Sequence, residues 1–305
     1  MTRIYFNEVV TRDGFQMEPE FVPTDEKIVL IDALSTCGYA KIEVTSFVSP
    51  KAIPMLRDAD EVMGGINRVP GVEYTVLVPN LRGAERAFEA KADELNLVMS
   101  MSQTHNLANL RMTMAQSFTA LSEIIQRAQG TAAVNVSLSC AFGCPMEGDV
   151  PEAVVLGYAQ RFADAGVRGI TICDTTGMGH PAQVSRMAEA MQKQLGPLQL
   201  TLHFHNTRGM GLANVLAAAQ SGITRFDGSL GGLGGCPYAP GASGNVCSED
   251  AIHMLDAMGY DTGMNIDRVL TLAGQLQHIV GHAVPGQVAK AGRITALHPA
   301  PKVQT

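Results

Sequence analysis

Short runs rich in β-branched and apolar residues alternate along this chain with longer amphipathic stretches, a pattern typical of parallel α/β proteins. The runs predict eight strands, at Ile4–Val9, Ala40–Thr45, Glu73–Leu77, Glu94–Val98, Ala133–Leu138, Gly169–Cys173, Leu198–His203 and Arg225–Asp227. The amphipathic stretches predict helices at Asp25–Ser35, Ala84–Ala92, Met114–Ala128, Ala153–Ala165, Ala182–Lys193 and Leu212–Gln220. Their apolar faces recur at helical spacing, so we expect them to cover the sheet.

Eight βα units in a chain of 305 residues predict the α/β class and a (β/α)8 TIM barrel. We expect one catalytic domain over residues 1–305, with the barrel at about 3–260 and a short C-terminal helical extension at about 261–305. A doubly wound open sheet is the alternative. The first βα turn, VVTRDGFQ, lacks the G-x-G-x-x-G phosphate loop of that fold, and the chain has no P-loop motif.

Composition limits the kinds of partner that the protein can bind and the cellular compartment in which it can occur. The net charge of −7 and the absence of Trp argue against nucleic acid, which needs clustered cations or stacking platforms. Six cysteines are too few for a disulfide scaffold and indicate a reducing compartment. The start, MTRIYFNEVV, is typical of a strand rather than a signal peptide, and no long apolar run predicts a membrane span. We therefore expect a cytoplasmic protein.

Charged and imidazole side chains lie at or just after the ends of predicted strands, as they do at the active end of a TIM barrel. The residues at these positions are Arg12, Asp13, Glu43, Asp174, His203 and His205. A glycine-rich segment also follows the last strand. The sequence therefore predicts an active site at the carboxyl ends of the strands.

The motif LHFHN holds two histidines, His203 and His205, two positions apart at the end of a predicted strand. Side chains at i and i+2 of a strand face the same side, so both imidazoles can converge on one ion. Asp13, in the TRDG turn, is the expected carboxylate ligand, although such a turn is also a common structural motif. Imidazoles with oxygen ligands suit Mg, Mn, Fe or Zn.

The segment GGLGGCPYAPGASGN, residues 231–245, contains six glycines in fifteen positions. It is either a mobile surface loop or a lid that closes over a substrate and presents Cys236. A thiol placed there could exchange a proton with a carbon centre. Asn245, at the end of the segment, could supply an amide oxygen to the metal.

With these motifs, the chain resembles the 3-hydroxy-3-methylglutaryl-CoA lyase family of metal-dependent TIM-barrel lyases. The resemblance runs from about residue 4 to residue 275. The motifs that carry it are RDGFQ at 12–16, EVTSFVSPK at 43–51, SCAFGCPMEG at 139–148, DTTGMG at 174–179, HFHNTRG at 203–209 and GGLGGCPYAPGASGN at 231–245. The last of these is close to diagnostic for the family.

The resemblance implies specific roles, residue by residue. It implies metal ligands at Asp13, His203, His205 and Asn245. It implies catalytic residues at Arg12, which would stabilise an enolate oxygen, at Cys236, a catalytic thiol, and at Asp13, Glu43, Asp174 and His203. The implied reaction is cleavage of an acyl-CoA substrate, 3-hydroxy-3-methylglutaryl-CoA, to acetoacetate and acetyl-CoA with Mg or Mn, in a homodimer that serves leucine degradation.

Several positions depart from the family pattern around the expected pocket. Gln103 stands where the family has a carboxylate, and Arg208 where it has an aromatic residue. Both changes make the pocket more positive, which would suit a different acid on the substrate. The alternative is therefore a citramalyl-CoA lyase giving pyruvate and acetyl-CoA, with His105 and Arg111 either contacting the acid or lying in a loop.

Two further alternatives belong to other classes. A condensing synthase of the same superfamily shares the barrel and the histidine pair, but usually carries a C-terminal regulatory region. A barrel that binds acyl-CoA without catalysis would be expected to lose a ligand or Cys236, and this chain keeps them. The sequence therefore favours a lyase.

Overall fold

The computed structural model describes residues 1–235, 244–297 and 299. Eight parallel strands close into a barrel in chain order, with the first strand paired to the last. The strands are β1 Tyr5–Glu8, β2 Lys41–Ser46, β3 Glu73–Leu77, β4 Glu94–Ser100, β5 Ala133–Ser139, β6 Gly169–Asp174, β7 Gln199–Phe204 and β8 Arg225–Gly228. Each predicted strand overlaps an observed one, and the predicted TIM barrel is confirmed.

Helices surround the barrel. They are α1 Thr24–Leu34, α2 Ala59–Gly65, α3 Leu81–Glu89, α4 Gln103–Leu110, α5 Met114–Ala128, α6 Glu152–Asp164, α7 Pro181–Leu195, α8 Gly211–Gln220, α9 Ser248–Ala257, α10 Ile266–Val280 and α11 Val288–Ala291. All six predicted helices are present, and α10 and α11 lie in the region of the predicted extension. The sequence did not predict α2, α4 or α9.

The two faces of the barrel wall differ in polarity. Residues that face the helices, such as Ile42, Val44, Leu95 and Ile172, are apolar and fully buried. The interior is polar, whereas branched apolar side chains usually fill it. A narrow internal cavity is lined mainly by Asn7, Lys41, Glu43, Thr75, Glu94, Asn96, Asn135, Thr171, Thr201 and Asp227. Such an interior needs internal partners for its polar groups.

At the amino-terminal end of the barrel, charges of opposite sign supply those partners. The Lys41 Nζ lies 2.6 Å from Glu94 Oε1 and 2.8 Å from Gln199 Oε1. Arg168 contacts the other oxygen of Glu94 through its Nε at 3.1 Å. Glu94 is only 1% exposed, so its carboxylate is neutralised almost entirely by protein groups. Loss of one partner from such a buried pair costs more than a surface pair would.

At the opposite end, Glu8 ties β1 to both flanks of the glycine-rich segment. Its Oε1 accepts the backbone N–H groups of Val10 and Leu230, both at 2.9 Å. Its Oε2 accepts the hydroxyl of Ser248 at 2.8 Å. Burial raises the pKa of Glu8 to about 7 despite these donors. This carboxyl therefore fixes where the segment leaves and rejoins the barrel.

Replacing Glu94 with Ala should destabilise the protein by about 3–5 kcal/mol, because Lys41 and Arg168 lose their buried counter-charge. The matched control is Glu85→Ala, which removes an exposed ion pair with Arg127 and should cost less than about 1 kcal/mol. The free energy of unfolding in urea measures both. Equal losses in the two variants would contradict the role given to Glu94.

Replacing Glu8 with Gln should change how stability depends on pH. Because the folded-state pKa is raised from 4.5 to about 7, stabilisation by the neutral form is complete below pH 4.5 and disappears as the pH rises through 7. Relative to Glu8→Gln, the unaltered protein should lose about 3 kcal/mol between these limits. Urea titrations at pH 5 and 8 measure the difference, with Glu89→Gln at the exposed end of α3 as control. A difference that does not vary with pH would contradict this prediction.

Candidate metal centre

One wide turn after β1 aims two charged side chains into the mouth of the barrel. The turn spans Val10–Gly14 and is a single turn of π-helix. The backbone N–H groups of Arg12, Asp13 and Gly14 all converge on the carbonyl oxygen of Val9, at 3.2, 2.7 and 3.3 Å. Such isolated π turns are frequent at functional sites. The turn leaves Arg12 and Asp13 less than 10% exposed.

The two histidines at the end of β7 converge on Asp13, as their spacing predicts. The Nε2 atoms of His203 and His205 lie 4.0 and 3.9 Å from Asp13 Oδ2. One ligand atom from each of the three residues lies within 4.8 Å of the others, and all three residues are buried. Two imidazoles and a carboxylate in this arrangement can hold a divalent cation.

Asn245 completes the cluster from the far flank of the glycine-rich segment. Its Nδ2 donates to Asp13 Oδ2 at 2.7 Å and to the carbonyl of Leu233 at 2.9 Å. Among the described residues, its Oδ1 is buried and has no hydrogen-bond partner. A buried polar atom normally has a partner, so this oxygen is suited to a cation ligand. The donor set of two imidazoles, a carboxylate and an amide oxygen therefore fits a divalent metal.

One glycine allows this close approach. Gly234 has a φ of +97°, in the left-handed region that L side chains rarely adopt. A Cβ there would lie 2.6 Å from Asn245 Nδ2 and 2.7 Å from the carbonyl oxygen of Asp13. Glycine at this position therefore lets the backbone pack directly against Asp13 and Asn245.

The electrostatics hold two of the candidate ligands, Asp13 and His205, in their metal-binding protonation states. Burial alone would raise the pKa of Asp13, but Arg12 and the imidazoles lower it to about 2. Burial and the neighbouring His203 lower the pKa of His205 to about 3. At neutral pH, Asp13 is therefore an anion and His205 is neutral, as metal coordination requires.

Arg12 is held in one orientation by two carboxylates. Its Nε donates to Glu43 Oε2 at 2.5 Å, and its Nη1 donates to Asp13 Oδ1 at 2.6 Å. Burial would lower the pKa of Arg12, but Asp13 and Glu43 raise it above its usual range. Glu43 is itself fixed by Asn96, whose Nδ2 donates to Oε1 at 2.7 Å. A permanent, oriented cation thus lies directly beside the candidate metal ligands.

Asp174 is near this cluster but outside it. On β6, Thr171 lines the barrel cavity, so strand alternation turns Asp174 to the outer face. Its Oδ1 accepts the backbone N–H groups of Met178 and Gly179, at 2.8 and 3.1 Å. Burial raises the pKa of Asp174 to about 6. Its visible contacts anchor the loop after β6.

Cys236 lies outside the described residues, so its role stays a prediction.

The residues that depart from the family pattern are largely held by neighbouring loops. Gln103 accepts the backbone N–H of Met114 through its Oε1 at 3.0 Å. The Arg208 guanidinium donates to the carbonyl oxygens of Thr176 and Gly177, at 2.9 and 3.0 Å. His105 is buried within α4, and Arg111 ends that helix at an exposed, left-handed position. None of these contacts disturbs the candidate metal ligands.

Sequence reasoning missed Asp227, which lies directly beside the histidine pair. Asp227 Oδ2 is 3.2 Å from His203 Nδ1. The two residues are register partners on β7 and β8. The sequence does place both residues at the ends of consecutive predicted strands, which is a weak indication that they could be neighbours. Only the barrel register shows that they share a face.

Comparison with known proteins identifies the family of this chain. The HMGL-like family model matches residues 3–275. Hydroxymethylglutaryl-CoA lyase YngG of Bacillus subtilis is 43% identical over 93% of this chain and 96% of its own length. The cytoplasmic 3-hydroxy-3-methylglutaryl-CoA lyase of Rattus norvegicus is 41% identical over 93% of this chain and 83% of its own length.

Solved structures give the same result. An HMG-CoA lyase from Acinetobacter baumannii, in complex with coenzyme A and 3-methylmalate, superposes with a TM-score of 0.95, 53% identity and 98% coverage of both chains. The Bacillus subtilis HMG-CoA lyase superposes with a TM-score of 0.93 and 42% identity, covering 95% of this chain and 98% of that one. The carboxyl transferase domain of Rhizobium etli pyruvate carboxylase, at 16% identity, shares only the fold. This chain therefore belongs to the HMGL-like family and is a carbon–carbon lyase.

Proposed function

We propose that this chain cleaves 3-hydroxy-3-methylglutaryl-CoA to acetoacetate and acetyl-CoA, with a divalent cation, Mg or Mn, as cofactor. The observation that carries the proposal is the buried cluster of Asp13, His203 and His205 beside the unpartnered Asn245 Oδ1. Relatives with 39–43% identity carry the name of this lyase, which supports the substrate. These four residues would hold the cation.

When bound, the cation would polarise the 3-hydroxyl of the substrate and lower its pKa. Loss of the hydroxyl proton lets the C2–C3 bond break, so that C3 becomes the ketone of acetoacetate. The bonding electrons pass to C2 and form the enolate of acetyl-CoA. A proton delivered to C2 then completes acetyl-CoA. The reaction therefore needs a fixed cationic group for the enolate oxygen and an acid for its carbon.

Arg12 supplies the cationic group in this proposal. Its charge is permanent, and its contacts with Glu43 and Asp13 fix the guanidinium before substrate arrives. A preorganised donor of this kind stabilises developing negative charge without reorganisation. Cys236 is the proposed acid, on the strength of its place in the GGCPYAPGASGN motif. Glu43 acts through Arg12, and Asp174 through the loop after β6.

One observation favours a second candidate substrate. The Acinetobacter baumannii relative, 53% identical, was solved with coenzyme A and 3-methylmalate. That ligand is a shorter hydroxy diacid than 3-hydroxy-3-methylglutarate. A methylmalyl thioester would break by the same steps: citramalyl-CoA gives pyruvate and acetyl-CoA, and 3-methylmalyl-CoA gives glyoxylate and propionyl-CoA.

The proposal also covers the ligand class, the oligomeric state, the cellular location and the pathway of the protein. Coenzyme A in the Acinetobacter baumannii structure supports an acyl-CoA ligand. No described helix combines the length and apolarity needed to cross a bilayer. A homodimer and a place in leucine degradation follow from the family resemblance. A cytoplasmic location and one catalytic domain over the whole chain rest on the sequence patterns given above.

The substrate is tested by product analysis with Mn²⁺-loaded protein. We expect acetoacetate and acetyl-CoA from 3-hydroxy-3-methylglutaryl-CoA, loss of activity with EDTA and its recovery with Mn²⁺. Cys236→Ala should abolish turnover, because no acid then protonates the enolate, whereas Cys37→Ala, which removes a buried thiol near the start of β2, should not. Preference for either methylmalyl thioester would support the second candidate. No cleavage of any of the three would contradict both.

Replacing Arg12 with Lys should lower kcat by about 10²–10³-fold with little change in KM, because the forked contact to Glu43 is lost while the charge remains. Arg186→Lys, on the exposed face of α7, is the matched control and should leave both constants unchanged. Steady-state kinetics measures the split. A kcat within about threefold of the unaltered protein would contradict the role of Arg12.

A further inference from the structure

We infer that Asp227 is a positioning residue of the metal centre, holding the His203 ring so that its Nε2 is free to face Asp13. This inference deepens the proposed function, because it rests on the metal site described there. It assigns a role to a partly buried carboxylate that neither binds the cation in the proposal nor contacts Arg12 within hydrogen-bond distance.

The geometry places Asp227 behind the His203 ring. The Oδ2 of Asp227 lies 3.2 Å from His203 Nδ1, while the other ring nitrogen, Nε2, lies 4.0 Å from Asp13 Oδ2. The imidazole thus lies between two carboxylates, one near each ring nitrogen. His203 and Asp227 are register partners on adjacent strands, so backbone pairing fixes the approach.

Asp227 is itself held from the other side. The Nδ2 of Asn7 donates to Asp227 Oδ1 at 2.8 Å, and Asn7 and Asp227 are register partners on β1 and β8. Each carboxylate oxygen therefore has its own partner, and Oδ2 is directed to the imidazole. The row Asn7, Asp227 and His203 spans three adjacent strands, β1, β8 and β7, at one level of the barrel.

This arrangement selects a tautomer. A neutral imidazole carries one N–H, and a carboxylate at Nδ1 favours the proton there. The Nε2 lone pair is then exposed to the space between His203 and Asp13. A carboxylate on the far nitrogen also makes the imidazole a better donor to a metal.

The second histidine provides an internal contrast. His205 Nδ1 is buried and has no hydrogen-bond partner among the described residues. The two imidazoles are therefore inequivalent, and only His203 has a carboxylate behind it. Removing Asp227 should change the tautomer of His203 and leave that of His205 unchanged. A carboxylate that merely fills the polar interior would show no such selectivity.

The first test needs no metal. Long-range ¹H–¹⁵N NMR of the metal-free protein at alkaline pH, where the imidazoles are neutral, reports which nitrogen of each ring carries the proton, with His203→Gln for assignment. We expect the His203 proton on Nδ1, and its displacement toward Nε2 in Asp227→Ala. Asp164→Ala, at the exposed end of α6, is the control. A proton on Nε2 in the unaltered protein, or an unchanged tautomer in Asp227→Ala, would overturn the inference.

The second test measures Mn²⁺ affinity by calorimetry. Asp227→Ala should bind Mn²⁺ about 10–100-fold more weakly. Asp227→Asn, whose amide oxygen can still accept a hydrogen bond from Nδ1–H, should fall between Ala and the unaltered protein and gives a second variant if Ala folds poorly. Normal Mn²⁺ binding by both variants would overturn this inference alone. No Mn²⁺ binding by the unaltered protein would overturn the proposed metal site and this inference with it.

Discussion

The active end of this barrel depends on the buried carboxylate of Asp13. Burying an unpaired carboxylate costs several kcal/mol. Here Arg12 and Gln16 contact one oxygen, at 2.6 and 2.7 Å, and Asn245 contacts the other, at 2.7 Å. These contacts keep Asp13 ionised at the point where two imidazoles converge. A cation added at this point would meet an anion that is already desolvated and oriented.

Hydrogen bonds inside the polar barrel also orient the charged groups at its active end. Asn96 donates to Glu43, accepts from Asn135 and Ser137, and so has a single amide orientation. Glu43 in turn orients Arg12, so a residue deep in the barrel sets the direction of a charge at its mouth. The apolar layers of an ordinary TIM barrel cannot transmit orientation in this way, because they make no directional contacts. The orientation of Arg12 at the active end therefore depends on the polar network inside the barrel.

The fold and most of the site could be predicted from sequence, because periodicity and strand ends carry that information. The convergence of His203 and His205 follows from their spacing of two alone. Asp174 is the last residue of β6, and strand alternation turns its side chain to the outer face, away from the histidine pair. Asp227 required the register of β8 on β7, which no local pattern records. Helix α4 was missed because QTHNLANL has few apolar positions to mark a helical face.

The most direct test of the metal centre is anomalous scattering from a crystal of this protein grown with Mn²⁺. We expect one strong peak bounded by Asp13, His203, His205 and the Oδ1 of Asn245. That result would show that the unpartnered amide oxygen and the two imidazoles are ligands of the same cation. A Mn²⁺ peak elsewhere in the barrel, or no peak among these four residues at saturating metal, would contradict it.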